Sequence, residues 1–353
     1  MDKVMSRREF IKASAAAGLV LAGADILNGS GSIAHAAVQI PEAEKVTITI
    51  VTDNLYDVTV PSVKIAKRYM ITPGDPIVNW GLHAEHGLAY HIETVVNKVS
   101  HSFLFDFGTD FPGVLRNMEL LKIDFKNVEA LVLSHGHWDH QLTLVDLIKA
   151  KRSLMKQEIP LYLGEAAFIE RFSTRPDGVV FSLGQLKRED VEALGSVKIR
   201  EINDPTPIVP GAYVTGKIDM VTEYEKGQPP LVLKKGNEYI QDFFIGEQGV
   251  VLNVKGKGIV VASGCAHRGI VNCVKQAQKM TGVEKVHAVL GGFHLTGAKA
   301  EVVRRTIADI KATNPEYIIP THCTSFPAIA AFAKEMPDQF ILSTVGTKFT
   351  FGG

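Results

Sequence analysis

Apolar and polar residues alternate along this chain with the two-residue period of half-buried strands, and segments with helical spacing separate the later strands. In the first half, the pattern predicts strands at residues 46–52, 89–96, 102–105, 128–133 and 161–163, and a helix at 142–149. In the second half, it predicts a hairpin of 250–254 with 258–262, strands at 286–290 and 317–319, and helices at 270–280, 300–311 and 328–334. Each half of the chain is therefore expected to build its own sheet.

This order of elements predicts an α/β protein in which two sheets pack face to face and helices cover the outer faces. Residues 165–242 change in character, because they are richer in Pro, Gly and charge and show helical spacing only near Phe168 and Val191. We interpret this range as a lid-like insertion that shapes a pocket. Residues 37–353 are predicted to form one domain that includes the insertion.

The first 36 residues are predicted to be a cleaved signal peptide and not part of the fold. Paired Arg7 and Arg8 resemble the twin-arginine export signal, and an apolar run at 13–24 leads to a small-x-small cleavage site at 34–36. The run is short for a bilayer span, so no stable membrane anchor is expected. The predicted partner is the twin-arginine export machinery, which carries folded proteins, and the predicted location is the bacterial periplasm.

The composition excludes some partners without naming one. Lys and Arg number 38, Asp and Glu also number 38, and no long run of one sign occurs, which argues against a nucleic-acid groove or a polybasic membrane patch. Three cysteines are too few and odd in number for a disulfide framework. Cys265 and Cys323 lie within two residues of a histidine, so roles around a metal are favoured, whereas Cys273 lies on an apolar helical pattern.

The candidate chemistry begins in the run from Ser134 to His140, directly after the strand at 128–133. Histidine and aspartate side chains are ligands of first-row metals. The spacing assigns His135 and His137 to one ion, and Asp139 and His140 to a second ion roughly 3.5–4 Å from the first. The alternative, a polar surface loop rich in histidine, is disfavoured because three later strands also end in loops with a histidine. Those histidines are His267, His294 and His322.

The run at 135–140 matches the His-x-His-x-Asp-His signature, so the chain resembles the metallo-β-lactamase superfamily. Within it the chain is similar to the branch of the dihydropterin-linked synthase of methanopterin biosynthesis. The residues that carry this likeness are Asp53 and Asn54, 84–88, 264–267, 269–272, 291–295 and 322–324. The resemblance implies an αββα sandwich with two mixed β-sheets and helices on the outer faces.

The resemblance also implies a ligand set, which is His135, His137, Asp139, His140, His267 and His322. The superfamily's usual bridging Asp falls at Cys265, so either a thiolate bridges the ions or His267 supplies the ligand, and we favour His267. The usual third His of the first ion would fall near Glu247, which substitutes for it or holds a water. Asp106 follows a strand at a position from which the superfamily supports its metal loop.

Further residues are assigned to the pocket. Asp139 and His294 are the predicted catalytic residues, and His294 is interpreted as a ligand or a substrate contact. Predicted substrate contacts are Glu85, His86 and Arg268, the first two having a plain loop hydrogen bond as an equal alternative. Asp53 and Asn54 orient ligands or cap a turn. The histidines interpreted as structural or surface residues are His83, His91 and His101.

These assignments predict an exported metal-dependent hydrolase that uses a metal-bound hydroxide on an ester or phosphoester of a small molecule. The predicted cofactor is two divalent ions per chain, zinc foremost, with manganese or iron as alternatives. A transferase resembling the synthase, which joins a dihydropterin diphosphate to a ribosyl-aminobenzene phosphate, is the second hypothesis. A metal-holding binding protein without turnover is the third.

Overall fold

The computed structural model describes residues 38–72, 74–77, 80–227 and 230–353. The predicted signal peptide, residues 1–36, lies outside the described residues. Within the described ranges, no helix combines the length and the apolar character needed to cross a bilayer.

Eighteen strands and seven α-helices are named here in chain order. The strands are β1 Lys45–Thr52, β2 Ala66–Lys67, β3 Ala89–Val96, β4 Val99–Phe105, β5 Val128–Val132, β6 Ile159–Gly164, β7 Arg171–Thr174, β8 Val180–Ser182, β9 Val197–Ile202, β10 Thr206–Val209, β11 Ala212–Val214, β12 Leu231–Lys235, β13 Glu238–Gln241, β14 Val250–Val254, β15 Gly258–Ser263, β16 Val286–Gly292, β17 Tyr317–Thr321 and β18 Lys348–Gly352. The helices are α1 Phe111–Leu120, α2 Trp138–Gln141, α3 Leu144–Lys151, α4 Arg188–Glu192, α5 Ile270–Thr281, α6 Ala300–Ala312 and α7 Phe326–Glu335.

Two mixed sheets form the body of the protein. The first has eight strands in the order β2-β18-β1-β3-β4-β5-β6-β9, and the run β4-β5-β6-β9 is parallel. The second has six strands in the order β10-β11-β14-β15-β16-β17, and the run β15-β16-β17 is parallel. Parallel strands are buried on both faces, which explains why β15 and β16 are apolar almost throughout and fully buried.

Three hydrophobic clusters order these elements into four layers. Buried residues of β1, β3 and β4 pack against those of β14, β15 and β16, so the two sheets enclose a central core. The outer face of the second sheet packs on α5, α6 and α7, and the outer face of the first packs on α1 and α3. The predicted αββα arrangement of the α/β class is therefore confirmed.

The range 165–242 is more divided than the sequence suggested. β9 extends the first sheet and β10 and β11 extend the second, whereas β7, β8, β12 and β13 form a third sheet of their own. The segment near Phe168 is a turn and not a helix, while α4 covers Val191. Two further elements, α1 and β18, were not predicted from the sequence, because short amphipathic segments between loops give weak periodic signals.

A close crossing of two backbone segments fixes the end of β6 near the candidate site. A Cβ at Gly164 would overlap the carbonyl oxygen of Gly246, the residue before Glu247. Because both contact partners are backbone, neither side can rotate away.

We expect Gly164→Ala to lower the free energy of unfolding by about 1–3 kcal/mol, the usual cost of overpacking. Thermal or urea unfolding measures this change. Gly81→Ala is the matched control, since a Cβ at Gly81 would have no atom within 4 Å. Equal stabilities of the two variants would contradict the tight crossing.

Candidate metal centre

The candidate ligands come together at the carboxyl ends of parallel strands. The loop after β5 and the short helix α2 carry the signature run, and the loops after β15, β16 and β17 each add one histidine. Parallel strands deliver the residues that follow them to one edge of a sheet, which is where α/β proteins place their sites. The side chains brought together are His135, His137, Asp139, His140, Cys265, His267, His294 and His322.

The first group consists of three imidazoles, His135, His137 and His267, whose ligand atoms lie within 4.8 Å of one another. The Nε2 atoms of His135 and His267 are 3.1 Å apart. Nε2 of His137 is buried without a hydrogen-bond partner in the described part of the chain, a costly state unless a ligand satisfies it. Three histidine nitrogens beside an open position are a typical zinc-type donor set. The group therefore fits one divalent ion.

The second group consists of Asp139, His140, Cys265 and His322, all buried and with ligand atoms within 4.8 Å of one another. Nε2 of His140 lies 3.1 Å from Sγ of Cys265, and Nε2 of His322 lies 3.2 Å from Oδ2 of Asp139. A carboxylate, two imidazoles and a thiol suit zinc or ferrous iron better than magnesium or calcium. This group fits a second divalent ion.

Asp106 sets the ring orientation of one ligand in each group. Its fully buried carboxylate accepts hydrogen bonds from Nδ1 of His140 at 2.6 Å and from the amide and hydroxyl of Ser134, both at 2.7 Å. Because the Ser134 hydroxyl donates to Asp106, it accepts from Nδ1 of His135, 2.9 Å away. Both histidines therefore carry their proton on Nδ1, which leaves Nε2 free to bind metal. Asp106 supports the metal loop, as the resemblance implies.

Asn54 orients His322 in the same manner. Its Nδ2 donates to the backbone carbonyl of His322 at 3.2 Å, and its Oδ1 lies 3.3 Å from Nδ1 of the ring. Asp53, fully buried, accepts from the Thr321 hydroxyl and from the Asn54 amide. Both predicted roles are therefore present, since this pair orients a ligand and also caps the turn.

The protonation of the first group is suited to metal binding. Burial is the main cause that lowers the pKa of His135, His137 and His267 well below the usual range, although Asp139 partly opposes it at His135 and His137. The three rings are therefore neutral near pH 7. A neutral imidazole presents the lone pair that a metal needs.

The second group has the opposite bias. Burial opposes the charged form of Asp139, but His140 and His322 outweigh it and hold the pKa of this carboxyl well below its usual range. Burial also opposes the charged form of His140, but Asp139 and Asp106 outweigh it and raise the pKa of the ring. Metal binding to this group therefore competes with a proton on His140.

Glu247 holds the His267 loop instead of joining a ligand group. Its Oε1 accepts from the His267 amide at 2.8 Å, and its Oε2 accepts from the Arg268 amide at 2.7 Å. Burial raises the pKa of Glu247 to about 7. The third imidazole of the first group is His267, so Glu247 does not substitute for it.

The Arg268 side chain is held by the backbone, and its predicted contact with a substrate stays a prediction. Its buried guanidinium donates to the backbone carbonyls of Ile218 and Phe243. These bonds tie the His267 loop to the segment that precedes β14.

Glu85 makes loop hydrogen bonds, and its predicted contact with a substrate stays a prediction. Its carboxylate accepts from the Thr109 amide at 2.8 Å, from the Asp110 amide at 2.7 Å and from the Thr109 hydroxyl. The alternative of loop hydrogen bonding therefore describes Glu85. It closes the loop between β4 and α1.

His86 and His294 lie at the mouth of the centre. The His86 side chain is 54 % exposed, stacks on His322 with ring centroids 5.0 Å apart, and has Nε2 3.7 Å from Oδ2 of Asp139. His294 is partly exposed, and its ring centroid lies 3.9 Å from that of His267. Its ligand atom also falls in a set with Cys265 and His267, so both predicted roles, ligand and substrate contact, are geometrically open to His294.

Three residues that support the first group were not predicted from the sequence. The Phe244 ring stacks on His267 with centroids 3.7 Å apart and planes at 6°. Buried Arg171 donates from Nε to Asp242 at 2.9 Å, beside Gly136 in the metal loop. All three lie at or next to the predicted insertion, where no periodic pattern distinguished them. An Arg and an Asp far apart in a polar segment give no sequence signal of pairing.

Comparison with known proteins places this centre in a family. The chain is similar to 7,8-dihydropterin-6-methyl-4-(β-D-ribofuranosyl)-aminobenzene-5'-phosphate synthase of Methanocaldococcus jannaschii, with 34% identity over 262 residues, 73% of this chain and 87% of that protein. The chain belongs to this synthase family. An uncharacterised protein of the same archaeon is 28% identical over 266 residues, 74% of this chain and 92% of its own. No family model matches the chain.

The fold of this family member is also found in a solved structure. A metal-dependent hydrolase of the β-lactamase superfamily superposes with a TM-score of 0.65 and 21% identity, covering 87% of this chain and 100% of that one. At this identity the likeness shows the shared fold alone. It agrees with the layer order described above.

Proposed function

We propose that the protein is an exported, metal-dependent hydrolase that acts on an ester or phosphoester of a small molecule, with two divalent ions per chain. One observation carries the proposal: two groups of metal-ligating side chains lie side by side, with the ring centroids of His135 and His140 4.4 Å apart. Adjacent groups of this kind are the donor arrangement of two-metal hydrolytic sites.

Each part of the chain has a task in this reaction. Bound divalent ions would supply Lewis-acid activation of a water and of the carbonyl or phosphoryl group whose carbon or phosphorus the water attacks. His135, His137 and His267 would hold one ion, and the second group would hold the other. Asp106 keeps the ligand rings in the binding tautomer. Phe244 covers the flat face of His267, which excludes water from that side and strengthens charge interactions within the centre.

The partly exposed histidines are placed to handle protons. His86 and His294 lie at the mouth, where a substrate must enter. Nε2 of His86 lies 3.7 Å from Oδ2 of Asp139, and this contact helps to hold the His86 ring in place. From this position the ring can donate a proton to a departing oxygen. Asp139 serves as ligand and as the charge partner of His86 and His322.

Transfer between two organic substrates is the second candidate, favoured by the 34% identity to a synthase. Hydrolysis is ranked first because the two buried arginines near the centre are committed to protein partners. Arg268 donates to backbone carbonyls, and Arg171 is paired with Asp242. A diphosphate-bearing substrate would need such cations to be available.

Export to the periplasm through the twin-arginine machinery is proposed from residues 1–36 alone. The periplasmic address supports hydrolysis over biosynthetic transfer, since the phosphorylated intermediates of the latter are made in the cytoplasm. N-terminal sequencing of the mature protein from periplasmic extract tests cleavage after Ala36.

The activity is tested by metal analysis of purified protein followed by a hydrolysis screen over phosphoesters, lactones and sulfate esters. We expect two divalent ions per chain and turnover of at least one class, abolished by a chelator and restored by added metal. A parallel assay with a dihydropterin diphosphate and a ribosyl-aminobenzene phosphate tests transfer. Activity retained in metal-free protein would refute the metal-dependent reaction, and bound metal without turnover in either assay would leave a metal-holding protein.

A further inference from the structure

Cys265 lies between the two ligand groups. Among the side chains that the structure describes, Cys265 and His267 are the two that share ligand sets with members of both groups. One set joins Cys265 to Asp139, His140 and His322, and another joins it to His267 and His294, with ligand atoms within 4.8 Å in each. Cys265 is only 1 % exposed, and its sulfur lies 3.1 Å from Nε2 of His140.

The first group lacks a fourth ligand that the sulfur can supply. Three imidazoles leave one position of a tetrahedral ion open. With metal–sulfur and metal–nitrogen bonds of about 2.3 and 2.1 Å, two ligands of one tetrahedral ion lie roughly 3.5 Å apart. Sγ of Cys265 is 3.1 Å from Nε2 of His140 and within 4.8 Å of a ring nitrogen of His267, so it lies beside one ligand of each group.

The charge of the centre points the same way. Two divalent ions bring four positive charges into a buried site, and Asp139 is the one carboxylate in the ligand groups of the described residues. Asp106 and Glu247 are engaged by hydrogen bonds from Ser134, His140 and the His267 loop. Buried charge is stable only when it is compensated. Asp106 compensates part of this charge from behind His140, and a thiolate at Cys265 adds a second negative charge within the ligand groups themselves.

The backbone holds Cys265 in this position. A Cβ at Gly264 would overlap Oγ of Ser134, so the strand end is pressed against the loop of the first sheet. A Cβ at Gly292 would overlap the Gly264 carbonyl and come 2.6 Å from Sγ of Cys323. The backbone at Cys265 is therefore packed between loops of both sheets, which keeps this residue beside the two ligand groups.

We propose that the Cys265 thiolate bridges the two divalent ions of this centre, while His267 completes the first group. The thiol gives its proton to solvent, and the sulfur forms one bond to each ion. This inference rests on the proposed two-metal site. A bridging sulfur makes the centre softer than a carboxylate-bridged one and favours zinc, cobalt or ferrous iron over manganese.

Cobalt(II) added to metal-free protein tests the bridge. We expect wild type to bind two ions per chain, with a near-ultraviolet sulfur-to-cobalt absorption band and an electron paramagnetic resonance signal weaker than that of two isolated ions, because a bridging atom couples their spins. Cys265→Ser should lose the band and bind the second ion at least about tenfold more weakly. Cys265→Asp should keep two coupled ions without the band.

Cys273→Ser and Cys323→Ser are the matched controls, because both remove a buried thiol that is outside the ligand groups of the described residues. Both should keep the band. A band that survives Cys265→Ser or vanishes in Cys323→Ser would overturn the assignment, as would uncoupled spins in two-cobalt wild type. Wild type that binds no second ion would instead overturn the two-metal site itself, so the two failures are distinguishable.

Discussion

Replacing His137 with alanine is expected to empty the first ligand group and to lower turnover by at least about a thousandfold. The ion is worth several kcal/mol to a hydrolytic transition state, and each 1.4 kcal/mol is roughly a factor of ten in rate. Nε2 of His137 has no hydrogen-bond partner in the described residues, so its loss breaks no bond within the protein. Elemental analysis should find one ion per chain instead of two, with the fold of the metal-free protein retained.

His91→Ala is the matched control for this variant. His91 is also a buried histidine, it lies on β3, and it belongs to neither ligand group. Its replacement should change stability but leave metal content and turnover as in wild type. If His137→Ala kept two ions, or if His91→Ala lost one, the first ligand group would be incorrectly assigned.

Replacing Asp106 with asparagine is expected to weaken binding of the second ion while the protein stays folded. The carboxylate accepts three hydrogen bonds, from Nδ1 of His140 and from the amide and the hydroxyl of Ser134. An amide has one oxygen and one NH₂ group, so it cannot accept all three. Its NH₂ group would turn His140 into the tautomer that carries the proton on Nε2, which cannot bind metal. Asn also tolerates the positive φ of 60° at this position.

Isothermal titration of metal-free protein measures this effect. We expect the affinity for the second ion to fall about 10–100-fold, the usual effect of removing a partner that orients a ligand. Glu129→Gln is a matched control, because Glu129 pairs with Nδ1 of His101 at 2.9 Å outside the centre. Unchanged affinity in Asp106→Asn would show that the carboxylate does not set the tautomer.

The fold was largely predictable because its core elements have strong periodic patterns. The β14–β15 hairpin, α5, β16, α6 and β17 lie within a few residues of the predicted ranges. The third sheet was not predictable, since β7, β8, β12 and β13 are short strands from a polar segment. Their pairing depends on contacts across about sixty residues, and local pattern carries no information about such contacts.

The individual site residues show the same division. Signature residues such as His135 and Asp139 are recognisable because ligand types follow one another at fixed spacing after a strand. Glu85 and Arg268 carried equally suggestive side chains, yet their partners are the backbone amides of Thr109 and Asp110 and the carbonyls of Ile218 and Phe243. Whether a polar side chain binds a substrate or the backbone depends on which loops pack beside it.

The sequence by itself determined the donor types, their position after apolar strands and the order of strands and helices, because these properties are local to short segments. Only the tertiary structure decided that His267 joins His135, 132 residues away, and that Cys265 lies between the two groups. It also decided which rings Asp106 and Asn54 orient. Distances of this kind arise when two separately built sheets pack face to face, and no short stretch of sequence encodes that packing.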